Sequence, residues 1–173
     1  GAEIAMRTFL IWLLMTTSSF AAASRSFDGS EDDITIGNVL NVTTENVSQA
    51  CWNRPNDDLN ANVIIGKKSV NGTTGVGYAL RQNTNDVAAI TISDGTVAAN
   101  DPCGVAPAGV MGDAWYSVVG TWDASADLSE CFLDGTSDGT STAAVGSLTN
   151  TSNLKVGEYD GGGLDYSGEI AYC

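Results

Sequence analysis

The sequence predicts an all-β protein, a two-sheet antiparallel β-sandwich, on three observations. After residue 26 no stretch repeats its apolar residues at helical spacing. Short runs rich in β-branched and aromatic residues alternate instead with clusters of Gly, Asp, Asn and Ser. Twenty glycines against three prolines suit strands joined by tight connections. With 173 residues, 43% of them apolar, the chain can bury one sizeable core and hardly two.

The strand candidates follow in order. Ile34-Thr35-Ile36, Val47 to Trp52 and Val63-Ile64-Ile65 are the first β-branched or aromatic runs. Gly77 to Arg81 and Val87 to Ser93 come next, then the aromatic-bounded Trp115 to Trp122. Cys131-Phe132-Leu133, Asn153 to Val156 and Glu169 to Cys173 complete the set. Asp94-Gly95, Asp134-Gly135 and Asp138-Gly139 are Asp-Gly pairs that tolerate the positive φ of hairpin turns.

Residues 1–23 read as a leader. Met6-Arg7 is a short basic start, Phe9 to Met15 an apolar run of seven, and Ala21-Ala22-Ala23 offers the small residues of a signal-peptidase site before Ser24. Seven apolar residues fall short of the roughly 20 that span a bilayer, so no stable membrane span is expected. The competing reading is a buried first strand or a retained docking helix. Residues 24–173 are the body, and the chain's two ends read as those of a piece of a longer reading frame.

Charge excludes several partners. Twenty-one acids against seven bases give a net charge of −14, the wrong sign for a nucleic-acid binder or for an anionic membrane surface. The absence of histidine removes His-dependent triads and His metal sites. No cysteine stands in a C-x-x-C pair, and four cysteines behind an export signal fit a secreted, extracellular or periplasmic protein. Lys67-Lys68, the only adjacent basic pair, reads as a solvated strand end.

The order of the signals carries a resemblance. Ser26-Phe27-Asp28-Gly29-Ser30 with Asp32-Asp33-Ile34-Thr35-Ile36-Gly37, then Val47 to Trp52, resemble the opening strands of laminin-G-like, concanavalin A-like domains. Trp115 to Asp123 with Cys131-Phe132-Leu133-Asp134-Gly135 is similar to that family's hairpin. Leu154-Lys155-Val156-Gly157 and Tyr166 to Ala171 match its closing strands. The resemblance implies a jelly roll over residues 26–173. It also implies a last strand that runs on into a short helix, so the sheet edge is expected to be truncated at Cys173.

The same fold hosts glycoside hydrolases, which need two converging carboxylates. Glu31-Asp32-Asp33 and Glu158-Tyr159-Asp160 are E-x-D stretches, but neither is followed by the second Glu of the glucanase motif, and both read as loop acids. No catalytic residue is assigned. Calcium is the one cofactor left open, because laminin-G-like domains often bind it at a loop rim; Asp113, Asp123 and Asp127 are its candidate ligands, beside Asp57-Asp58, Asp160 and Asp165. Solvated turn acids are the competing explanation. Most of Trp52, Trp115, Trp122, Phe132 and Tyr78 read as core. Tyr159 and Tyr166 flank the glycine-rich Asp160 to Asp165 loop, and with Asp160 and Asp165 they form the candidate ligand-binding set, hairpin packing being the alternative.

Four cysteines allow three pairings. The resemblance sets the strand of Cys51 beside the closing strand, which implies Cys51–Cys173 and leaves Cys103 for Cys131; buried free thiols remain the alternative. Two functional readings result. One is a secreted, non-enzymatic recognition or adhesion module for an extracellular glycan or protein. The other is a structural subunit that associates with copies of itself.

Overall fold

The computed structural model describes residues 23–56, 61–70, 74–83, 87–102 and 113–173. Residues 1–22 of the leader, Asp57-Asp58 and Cys103 lie outside the described residues. Twelve strands are described, and no helix accompanies them among those residues: β1 Arg25–Asp28, β2 Ile34–Gly37, β3 Val47–Pro55, β4 Asn62–Lys68, β5 Gly77–Gln82, β6 Ala88–Ser93, β7 Ala98–Pro102, β8 Tyr116–Asp123, β9 Leu128–Leu133, β10 Thr136–Thr142, β11 Leu154–Val156 and β12 Ser167–Tyr172. Sheet A has the order β1-β12-β3-β8-β9-β10 and sheet B the order β2-β11-β4-β5-β6-β7; each neighbouring pair is antiparallel. This is the open sandwich of a jelly roll.

The core lies between the sheets. Ile64, Leu80, Ile90 and Ile92 of sheet B pack in one cluster with Val118, Trp122 and Cys131 of sheet A, all essentially inaccessible to solvent. Alternation along each strand sorts the rest. In β3, Val47, Gln49, Cys51, Asn53 and Pro55 are buried, whereas Ser48, Ala50, Trp52 and Arg54 turn to the other face. Strand β6 is buried at all six positions, so sheet B is covered on both sides there.

The turns obey local chemistry, with one exception. Asp134 and Gly135 have φ of 49° and 78°, the paired positive values of a two-residue hairpin turn between β9 and β10. Asp94 accepts from the backbone N–H groups of Val97, Thr96 and Gly146, which hold its carboxyl far below the usual carboxylate range. The exception is Asp138-Gly139. It lies inside β10, where the register shifts between Ser137 and Thr140, so a bulge replaces the expected turn.

Cys51 is joined to Cys173, across 122 positions of sequence. Cys51 is buried on the inner face of β3; Cys173 follows β12, the strand next to β3 in sheet A. Cys131 is buried in the core and disulfide-bonded.

Lys67 and Lys68 are not a solvated strand end; both are fully buried. The Lys67 ammonium donates to Asn38 Oδ1 at 2.7 Å and to the Ser152 carbonyl, tying β4 to the segments after β2 and before β11. Burial, with Arg81 nearby, pulls the Lys68 pKa down to about 8. An unfolded lysine titrates near about 10.4. Between these two values the unfolded chain binds more protons than the folded one, so stability rises as pH goes up from 8 and levels off near 10.4, by at most about 1.4 kcal/mol per pH unit. Urea midpoints at pH 7, 8, 9 and 10 should show that rise in the parent and lose it in Lys68→Met. An equal rise in both would assign it elsewhere.

Candidate functional site

Tyr159 and Tyr166, named as a candidate ligand-binding pair with packing as the alternative, are both fully buried, which corrects the first expectation in favour of the second. The loop between them is pinned to β4 and to itself. Gly157 N–H donates to the Ile64 carbonyl, Asp160 N–H to Lys68, and Tyr166 N–H to Gly157, while Val63 N–H donates to Leu164. The glycines let the chain double back, and each ring turns inward. Tyr159 packs with Val63, Ala79 and Leu164 on the far side of sheet B, with Lys68 Nζ 5.9 Å from its ring centroid. Tyr166 meets Phe27 edge-on in the main core, centroids 5.9 Å apart. Neither ring has a face left for a ligand. The Tyr159 hydroxyl is buried without a hydrogen-bond partner. Tyr159→Phe is therefore expected to leave stability unchanged or raised, whereas Tyr159→Ala costs about 3–5 kcal/mol in thermal unfolding.

The loop acids are held by neighbours. Asp160 Oδ1 accepts from Asn153 Nδ2 at 2.8 Å. Asp165 is half-buried, and burial together with the adjacent Glu158 pushes its carboxyl up. Pairing of β2 with β11 brings the two E-x-D stretches, distant in sequence, around one lysine: Lys155 Nζ lies 3.0 Å from Glu158 and 3.6 Å from Asp33. Burial disfavours the charged ammonium, but Glu158, Asp33 and Asp160 outweigh it and hold the Lys155 pKa above its ordinary value.

Of the described acids named for calcium, Asp123 and Asp127 share one turn and Asp113 stands apart from them. Asp123 accepts from the N–H and hydroxyl of Ser125 in the β8–β9 turn, and Asp127 stands in that turn with φ 50°. Asp113 lies before the start of β8, 3.8 Å from Arg54. The length of β8 separates it from Asp123 by roughly 25 Å at about 3.3 Å per residue. Among the described residues no three acids or cysteines are grouped to hold a metal ion.

The outer face of sheet A carries a different constellation. Cys51 points into the core, so its strand neighbours Trp52 and Arg54 point outward. Across β8, Ser117 faces Trp52, and Trp115 lies two residues before it on the same side. The indoles of Trp52 and Trp115 are parallel to within 6°, centroids 6.4 Å apart, and both remain partly exposed. The Arg54 guanidinium lies 5.9 Å from the Trp115 ring and 3.3 Å from Glu169, its register partner on β12. Tyr172, 61% exposed, stands opposite Trp52 in register. Trp122 and Tyr78 are core, as expected; Trp52, Trp115 and Phe132 are not fully buried. An inward Cys51 was the signal that could have placed Trp52 outside.

Comparison with known proteins agrees with this architecture. The family described as Concanavalin A-like lectin/glucanases superfamily (Laminin_G_3) matches residues 28–172. No curated protein matches the chain. Among solved structures, the chain is similar to the Ruminococcus gnavus IT-sialidase CBM40 bound to α2,3-sialyllactose, with 13% identity, TM-score 0.58, and 87% of this chain covering 88% of that one. It is similar to domains LG4-5 of the mouse laminin α1 chain, with 13% identity and TM-score 0.61 over 85% of this chain and 38% of that one. A heptameric SAP-like pentraxin from Limulus polyphemus matches at 16% identity and TM-score 0.57, over 85% and 72%. At these identities the likeness is one of fold.

Proposed function

The chain belongs to the Concanavalin A-like lectin/glucanases superfamily, and from that membership we propose that it is a secreted, non-enzymatic recognition module that binds glycan on the outer face of sheet A. The observation that carries the reading is the parallel Trp52–Trp115 pair on a solvent-facing sheet beside the Arg54–Glu169 ion pair. Aromatic faces pack against the C–H surfaces of sugars, and flanking charged groups take up their hydroxyls. The similar CBM40 structure, bound to sialyllactose, supports a glycan as the class of ligand. Recognition rather than turnover is supported by the E-x-D acids, of which Glu158 and Asp33 are drawn to Lys155.

A glycan array followed by calorimetry on the hits tests this. Trp52→Ala and Trp115→Ala are each expected to weaken binding at least about tenfold, or about 1.4 kcal/mol, with a cooperative urea-unfolding transition retained. Full affinity in both variants would remove this face as the site.

A second reading, association of the chain with copies of itself, rests on β2. This edge strand exposes Ile34 at 38% and Ile36 at 50%, followed by Val39 and Leu40. An unpaired apolar edge is a template for strand pairing. A monomer by light scattering at high concentration would overturn it.

A further inference from the structure

We infer that the glycan taken by the outer face of sheet A is uncharged, and that this face turns away sialylated, uronic and sulfated sugars; this rests on the glycan reading above. Among the described residues, Arg54 is the one cation on that face. Lys67, Lys68, Arg81 and Lys155 belong to sheet B, and Arg25 lies over the Phe27 ring on the inward side of β1.

Arg54 is already engaged. Its Nη2 lies 3.3 Å from Glu169 and its Nε 3.8 Å from Asp113, with the guanidinium over Trp115. Two more carboxylates share the surface. Glu130 precedes the buried Cys131, so it faces outward, where it accepts from Ser137 Oγ at 2.9 Å. Asp134, exposed in the β9–β10 turn, accepts from Ser117 N–H at 2.8 Å, beside the register partner of Trp52.

Carboxylates thus outnumber the one guanidinium on this face, and two of them already pair with it. A sugar carboxylate or sulfate arriving at the indoles would find no uncommitted donor of positive charge. It would also enter the field of a chain whose net charge is −14, which reaches about 10 Å at 0.1 M salt. Neutral sugars meet the opposite situation. Ionised carboxylates are acceptors only, and every neutral sugar offers hydroxyl donors to them as its C–H surface meets the rings.

The test is affinity electrophoresis of the full chain through gels holding neutral β-glucan, mannan or galactan, against gels holding polygalacturonate or alginate. Calorimetry with lactose and α2,3-sialyllactose completes it. Retardation by at least one neutral polymer is expected, insensitive to salt and lost in Trp52→Ala. Acidic polymers should bind at least tenfold more weakly, and the gap should narrow at 0.5 M salt and in the Asp113→Asn/Asp134→Asn variant. An acidic ligand bound as tightly as any neutral one, and released by Trp52→Ala, would overturn this inference and leave the glycan reading standing. Binding to none of the ligands would remove both.

Discussion

Opening the Cys51–Cys173 bond is expected to lower the unfolding free energy by about 5 kcal/mol, the entropy of closing a loop that spans most of the chain. The bonded residues are 122 apart in sequence, and such a closure strongly restricts the unfolded ensemble. The folded state adds a local reason. Cys173 follows β12, which among the described residues is the only strand joining β1 to the rest of sheet A. Without the bond, fraying of β12 from β3 would release β1 with it. Cys173→Ser is the suitable variant, because Cys173 is exposed and Cys51 then remains as a small buried hydrophobe. Urea unfolding should show a large drop in midpoint. A loss below about 1 kcal/mol would mean that β12 holds through its ladder and packing alone, since that is the level of an ordinary surface change.

The fold was legible because its signals are local. Apolar and β-branched runs mark nine of the twelve strands, and the Asp134-Gly135 pair forms the hairpin turn its chemistry demands. Of the other three, β1 was marked only by the resemblance of Ser26-Phe27-Asp28, and β7 and β10 were missed because Ala98–Pro102 and Thr136–Thr142 are edge strands made largely of small and polar residues; in β10 an Asp-Gly pair disguises a bulge as a turn. The site was less legible, because it depends on which side of a strand a residue takes and on pairings between distant segments. Tyr159 and Tyr166 looked exposed beside a glycine-rich loop, yet those glycines are what allow the loop to fold back onto β4 and bury both rings. Trp52 and Trp115 looked like core, since aromatic content alone does not tell the two faces of a sheet apart. The burial of Lys67 could not be read locally at all. Its partners Asn38 and Ser152 lie 29 and 85 positions away, and only the assembled sheet brings them to its ammonium.

Gly77→Ala is expected to destabilise the sandwich by at least about 3 kcal/mol, from strain and clash together. Gly77 opens β5 with φ +130°, a conformation that side chains rarely adopt. A Cβ there would lie 1.9 Å from the Lys67 carbonyl oxygen and 3.0 Å from Asn150 Nδ2. The carbonyl cannot simply retreat. Gly77 is registered between Lys68 and Ser93 in the middle of sheet B, and Lys67 is anchored through its ammonium. Relief would require shifting β4 against β5, which disturbs Ile64 and Leu80 in the core. Gly135→Ala supplies the control. Its φ is +78°, but nothing lies within 4 Å of the added Cβ, so only the conformational cost of about 1 kcal/mol remains. Thermal unfolding of the two variants separates the contributions. Equal losses would show that β4 and β5 can part locally to admit a methyl group, and that the close approach at Gly77 is not what fixes their register.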